Sequence, residues 1–88
     1  MQKISLTIYS KEGIHARPAS LFVNLATSFK SNITIIKNDN YEKDYAGKSI
    51  LSVMTMAAGE GDSITIIADG EDEEIAINKL QALLETGI

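Results

Sequence analysis

Ile4, Leu6 and Ile8 alternate with Lys3, Ser5, Thr7 and Tyr9, a period of two that predicts a half-buried strand. Lys11-Glu12-Gly13 turns the chain into a predicted helix from about Ala16 to Ser28. Ala16, Ala19, Val23 and Ala26 fall on its inner side, with Phe22 and Phe29 beside them. Asn32 opens a second strand, Ile33 to Lys37, rich in β-branched residues. Asn38-Asp39-Asn40 is turn chemistry, and it leads to a short charged third strand near Tyr41 to Asp44, suited to a sheet edge. A second helix is expected over about Ile50 to Ala57. Its apolar positions cover an arc of roughly 220°, well beyond the ~100° stripe that one core needs, so part of it must stay exposed. Gly59-Glu60-Gly61-Asp62 turns into a strand over Ser63 to Ala68, with Ile64, Ile66 and Ala68 on one face. A last helix runs from about Asp72 to Glu85, with Ala76, Ile77, Leu80, Leu83 and Leu84 inward and Gly87 at its end. The order is βαββαβα. Helices burying one face against a single layer of strands give an α+β, open-faced two-layer sandwich.

Eighty-eight residues make one small domain, 1–88, hiding somewhat more than ~60% of its unfolded surface. With 44% hydrophobic and 23% charged residues, the chain has the balance of a globular protein. There is no cysteine, so disulfides, thiolate metal sites and cysteine nucleophiles are excluded. The alternating N-terminal residues are not a signal peptide, and no run approaches membrane-spanning length. The expectation is a soluble, cytoplasmic protein without membrane insertion. A formal charge of -4 argues against nucleic-acid binding, and seven of the twelve acidic residues lie between Glu60 and Glu74. Asp69 to Glu74 lacks EF-hand spacing, Gly59-x-Gly61 lacks the third glycine of a dinucleotide fingerprint, and Ser20 with His15 is too little for a hydrolase triad. No metal or cofactor is expected.

The acid-poor stretch Gly13-Ile14-His15-Ala16-Arg17-Pro18-Ala19-Ser20 carries the only histidine. Proline is tolerated in a first helical turn but not in a helix interior, so Pro18 puts the helix start at about His15 or Ala16. The unpaired N–H groups there and the positive end of the dipole form an anion site. Arg17 is a cation placed against that dipole, which makes sense if an anion sits beside it. By pattern alone, a lone histidine before a helix is more often an exposed cap with no task.

Gly13 to Ser20, the later stretch Gly47-Lys48-Ser49-Ile50-Leu51-Ser52-Val53-Met54, the chain length and the order of elements together resemble the HPr family. These are the histidine-containing phosphocarriers of the bacterial phosphotransferase system. The resemblance implies four antiparallel strands in the order 1-4-2-3 with three helices on one face. It implies that His15 accepts a phosphoryl group on Nδ1 from phosphorylated enzyme I and passes it to sugar-specific enzyme IIA domains. Ala16 and Arg17 amides and the Arg17 guanidinium would hold the phosphate. Only neutral imidazole attacks, so the surrounding positive field should lower the pKa of His15.

Ser49 has the position of an ordinary N-cap. Lys48-Ser49-Ile50 also aligns with the segment in which Gram-positive-type members are phosphorylated by HPr kinase/phosphorylase. Ile50, Leu51 and Met54 look like the family's apolar docking patch. Relative to the family pattern, three extra residues fall between Ile36 and Gly47, Ser52 stands where glycine is common, and Thr27-Ser28 lacks a lysine often seen there. The leading expectation is a phosphoryl carrier, a monomer and a substrate of enzymes rather than a catalyst. The alternative is a regulatory module of carbon catabolite control, in which phospho-Ser49 recruits a transcription factor. A dedicated catalytic domain fits poorly, with one histidine and little room for a substrate pocket.

Overall fold

The computed structural model describes residues 1–14 and 16–86. Its elements run β1 (Gln2–Thr7), α1 (Ala16–Thr27), β2 (Asn32–Lys37), β3 (Tyr45–Ala46), α2 (Ile50–Met56), β4 (Ser63–Asp69) and α3 (Glu73–Glu85). The four strands form one antiparallel sheet in the order β1-β4-β2-β3, as the resemblance implied. Gly87, expected at the end of α3, lies outside the described residues.

Period-two alternation places Ile33, Ile35, Ile64, Ile66 and Ala68 on the helix-covered face, where all five are buried. They meet Ala19, Phe22, Val23 and Ala26 of α1, Val53 and Met56 of α2, and Ala76, Ile77 and Leu80 of α3 in one apolar core. Ile4 and Leu6 pack at its margin. Ile8, counted with β1 in the sequence, lies just past the strand and is buried all the same.

Three features depart from the expected pattern. The third strand is not at Tyr41 to Asp44 but at Tyr45–Ala46, paired with Ile35 and Thr34. Asn38 and Asp39 take left-handed backbone angles, φ 51° and 58°. The amides that follow bond locally: Asn40 to Lys37, Tyr41 to Asp39, Lys43 to Asn40, and Glu42 to the Asn40 side chain. A backbone whose donors are spent inside a loop has none left for a sheet ladder. Ala16, counted as inward, is exposed, because the core-facing stripe of α1 begins one turn later at Ala19. The sheet face away from the helices is not uniformly wet either. Register partners Ile36 and Thr65 lie on it with 3% and 2% exposure, and the Ser5 and Thr65 hydroxyls bond at 2.8 Å.

Asp72 stands at the N-cap position of α3, yet its carboxylate does not cap that helix. It accepts the Ser31 hydroxyl at 2.5 Å and the Lys30 and Ser31 amides at 2.8 and 2.9 Å, tying the α1–β2 connection to the start of α3. The Ser31 hydroxyl, then the Lys30 amide, hold its pKa at about 2, below the ordinary 3.8. A lowered folded-state pKa means that these bonds stabilise the protein fully above 3.8 and are lost as pH falls towards about 2. Urea midpoints should therefore decline across that interval. Asp72→Asn should start from a lower midpoint and decline less over the same interval.

Candidate functional site

His15, the expected phosphoryl acceptor, lies outside the described residues. The residues on both sides of it are described, and they are held by different means. On the upstream side, the Gly13 amide donates to the Ser10 carbonyl at 3.1 Å, closing a turn over Lys11 and Glu12. Gly13 has φ +68°, and a Cβ there would stand 2.5 Å from the Ala58 carbonyl oxygen and 2.7 Å from Gly59 Cα. Glycine is required both by the left-handed angle and by this close approach. Ile14 is 5% exposed and belongs to the core, and its N–H donates to the Ala58 carbonyl at 2.8 Å. The chain thus reaches position 15 from a segment fixed to the connection between α2 and β4.

On the downstream side, α1 begins at Ala16. The Ala16 and Arg17 amides have no acceptor within the helix, and Pro18 has no N–H to leave unpaired. No acidic residue occupies the first turn, so nothing in it quenches the positive end of the helix dipole. Ala16 and Arg17 are exposed, and among the described residues no carboxylate lies within 4.0 Å of the Arg17 guanidinium. The arrangement is an open, acid-free helix start with a permanent cation beside it, suited to a doubly charged oxyanion.

The wide apolar arc of α2 divides as its width required. Val53 and Met56 are buried, whereas Ile50, Leu51 and Met54 are exposed by 44%, 74% and 44%. Ser49 is the N-cap: its hydroxyl accepts the Ser52 amide at 3.2 Å, and its carbonyl accepts the Val53 amide at 3.0 Å. Ser52, where the family often has glycine, uses its own hydroxyl to accept the Ala46 amide at 2.8 Å, which docks β3 against α2. The Ile14–Ala58 bond brings the start of α1 to the C-terminal end of α2. Ser49 sits at the other end of a seven-residue helix, roughly 10 Å along its axis.

Sequence reasoning did not single out Ala58, Asp62 or Lys37. Neither α1 nor α2 carries a basic residue in its last turn, and lysines from elsewhere reach the carbonyls at their ends. Lys48 Nζ donates to the Phe29 carbonyl at 2.7 Å, just beyond α1. Lys37 Nζ donates to Met56 at 3.0 Å and reaches Ala57 at 3.5 Å. The only local sign was the missing C-terminal cation on each helix, and it does not say which lysine supplies one.

A four-stranded antiparallel sheet in this order, with three helices and an acid-free start to the first of them, defines the class of open-faced α+β sandwiches. The family described as "PTS HPr component phosphorylation site" matches residues 2–86. The phosphocarrier protein HPr of Mycoplasma capricolum is 47% identical over 89 residues, 100% of this chain and 97% of its own. The HPr-like protein Crh of Bacillus subtilis is 39% identical over 84 residues, 96% of this chain and 93% of its own. A solved histidine-containing phosphocarrier protein of Mycoplasma superposes with a TM-score of 0.89 at 45% identity, covering 98% of this chain and 96% of that one. The chain belongs to the HPr family, phosphocarrier components of the phosphotransferase system that are not stand-alone catalysts.

Because Gly13 combines a left-handed angle with backbone contact, Gly13→Ala should cost ~1–3 kcal/mol of folding stability, read by urea denaturation.

Proposed function

We propose that the 88 residues act as one cytoplasmic domain that takes a phosphoryl group on His15 from phosphorylated enzyme I and delivers it to enzyme IIA domains during sugar uptake. The observation that carries this reading is the start of α1: Ala16 and Arg17 amides with no acceptor among the described residues, a first turn free of acid, and an exposed Arg17, all directly following residue 15. In the transfer, the neutral Nδ1 lone pair of His15 bonds to phosphorus as the bond from phosphorus to the donor breaks. The donor keeps that electron pair, and the Nε2 proton stays in place. The incoming oxygens are received by the two amides and Arg17, so the charge that moves onto this chain is met by donors already in place. Reversal of the same steps hands the group to the acceptor. Ile50, Leu51 and Met54, exposed on α2, serve as the apolar surface on which partners dock.

A second reading is favoured by the partly buried Ser49 at the start of α2 and by the Crh relative. Phosphorylation of Ser49 by HPr kinase/phosphorylase would add about -1.5 to -2 charge beside Ile50 and Leu51. That would favour a catabolite-control transcription factor over the phosphoryl-transfer partners.

With enzyme I and phosphoenolpyruvate, the chain should gain one acid-labile phosphate, and His15→Ala should gain none. Arg17→Ala should keep its fold and lose about 10- to 100-fold in transfer rate, measured by rapid quench. NMR titration of His15 should give a pKa below the ordinary ~6.5, and a raised value would remove this account of activation. Acid-stable phosphate on Ser49 with the kinase and ATP would support the regulatory reading.

A further inference from the structure

Asp62 lies in the turn before β4, and its carboxylate joins two pieces of chain, its own turn at Gly59 and the end of β2 at Lys37 and Asn38. Oδ2 accepts the Gly59 amide at 2.8 Å, Oδ1 accepts the Asn38 side-chain amide at 3.1 Å, and Lys37 Nζ stands 3.8 Å from Oδ2. The Gly59 N–H bond, then that of Asn38, holds the carboxyl below its ordinary pKa, so it is charged at neutral pH. The surrounding backbone keeps Asp62 itself in place. Its N–H donates to the Gly59 carbonyl at 3.0 Å, its carbonyl accepts the Ile8 amide at 2.9 Å, and Gly61 returns a bond to Ile8 at 2.8 Å.

The Gly59 N–H and the Ala58 carbonyl are the two ends of one planar peptide unit. Asp62 grips one end, and the Ile14 amide donates to the other at 2.8 Å. A charge-assisted bond at the N–H end fixes the orientation of the plane and polarises the carbonyl at the opposite end, strengthening the bond to Ile14. The sequence Asp62, peptide 58–59, Ile14 therefore runs directly to the residue before His15.

We infer that Asp62 is a positioning residue for phosphoryl transfer, acting through the Ala58–Gly59 peptide on Ile14 and so on the histidine that follows. The inference rests on the reading of His15 as the phosphoryl acceptor. Misplacing a reacting group costs rate even when binding is untouched, and the docking residues Ile50, Leu51 and Met54 form no part of this chain of bonds.

Asp62→Ala should speed hydrogen exchange of the Ile14 amide about tenfold. It should also lower kcat for phosphoryl acceptance from enzyme I about five- to tenfold, with KM within about twofold of wild type. Asp62→Asn keeps an oxygen for the Gly59 amide but not the charge, and should recover part of both losses. Unchanged Ile14 exchange, unchanged kcat, a loss confined to KM, or no recovery with asparagine would each overturn the proposal. A second measurement needs no substitution, which covers the case that Asp62→Ala does not fold. In the wild-type protein the Ile14 amide proton shift should follow the titration of the Asp62 carboxyl carbon, and a flat Ile14 shift overturns the inference. Should the wild-type chain take no phosphoryl group from enzyme I, the carrier reading fails by itself. Ile14 exchange and its titration then decide whether Asp62 holds the segment.

Discussion

The bond from the Ile14 amide to the Ala58 carbonyl is the joint that holds the approach to α1 against the end of α2. A helix start that receives an anion needs its donors held in one direction, and α1 cannot do this alone, because its first two residues, Ala16 and Arg17, are exposed. The neighbouring backbone supplies the hold. Ile14 is sunk in the core, Gly13 adopts an angle that side chains resist, and the two peptide segments approach closely enough to exclude a Cβ. The same joint ties α1 to the end of α2, so the anion-receptive turn and the helix bearing the exposed apolar face cannot drift independently.

Charge is arranged to suit that design. The molecule is acidic overall, yet the first turn of α1 contains no acid and ends its approach with Arg17. Two carboxylates are instead placed where the fold uses them: Asp72 gathers the Lys30 and Ser31 amides, and Asp62 holds the Gly59 amide within its turn. Lysines complete the C-terminal ends of α1 and α2 from outside those helices, Lys48 from the connection between β3 and α2 and Lys37 from β2. A cation supplied from another element satisfies terminal carbonyls and also locks two elements together, which a residue within the helix could not do.

How much of this was legible in the chain depends on the range of the forces involved. Ile4 and Leu6, the β-branched run of β2, and the stripe Ala19, Phe22, Val23, Ala26 announce their elements through periodicity, because facing a core is a local requirement repeated at each turn or pleat. The charged stretch Tyr41 to Asp44 misled, since its polarity fits an edge strand as well as a loop. The bonds made by Asn38 to Asn40 decided the matter. The burial of Ile36 and Thr65 on the far face was equally hidden, for alternation assigns a side and does not say whether anything covers it.

At the site, Gly13, Arg17 and Pro18 spoke for themselves: glycine, proline and a misplaced cation each carry a backbone or electrostatic meaning that survives without neighbours. The sequence by itself therefore determined the order of elements, the start of the first helix, the absence of acid from its first turn and the surplus apolar surface of the second. Only the tertiary structure decided that Ala58 receives Ile14, that Asp62 and Lys37 flank that contact, and that Ser49 lies at the far end of α2 from it. Hydrogen bonds between residues some twenty to forty-five positions apart leave no periodic trace in the chain, because either partner alone is an ordinary residue of its own segment until the fold brings the other within about 3 Å.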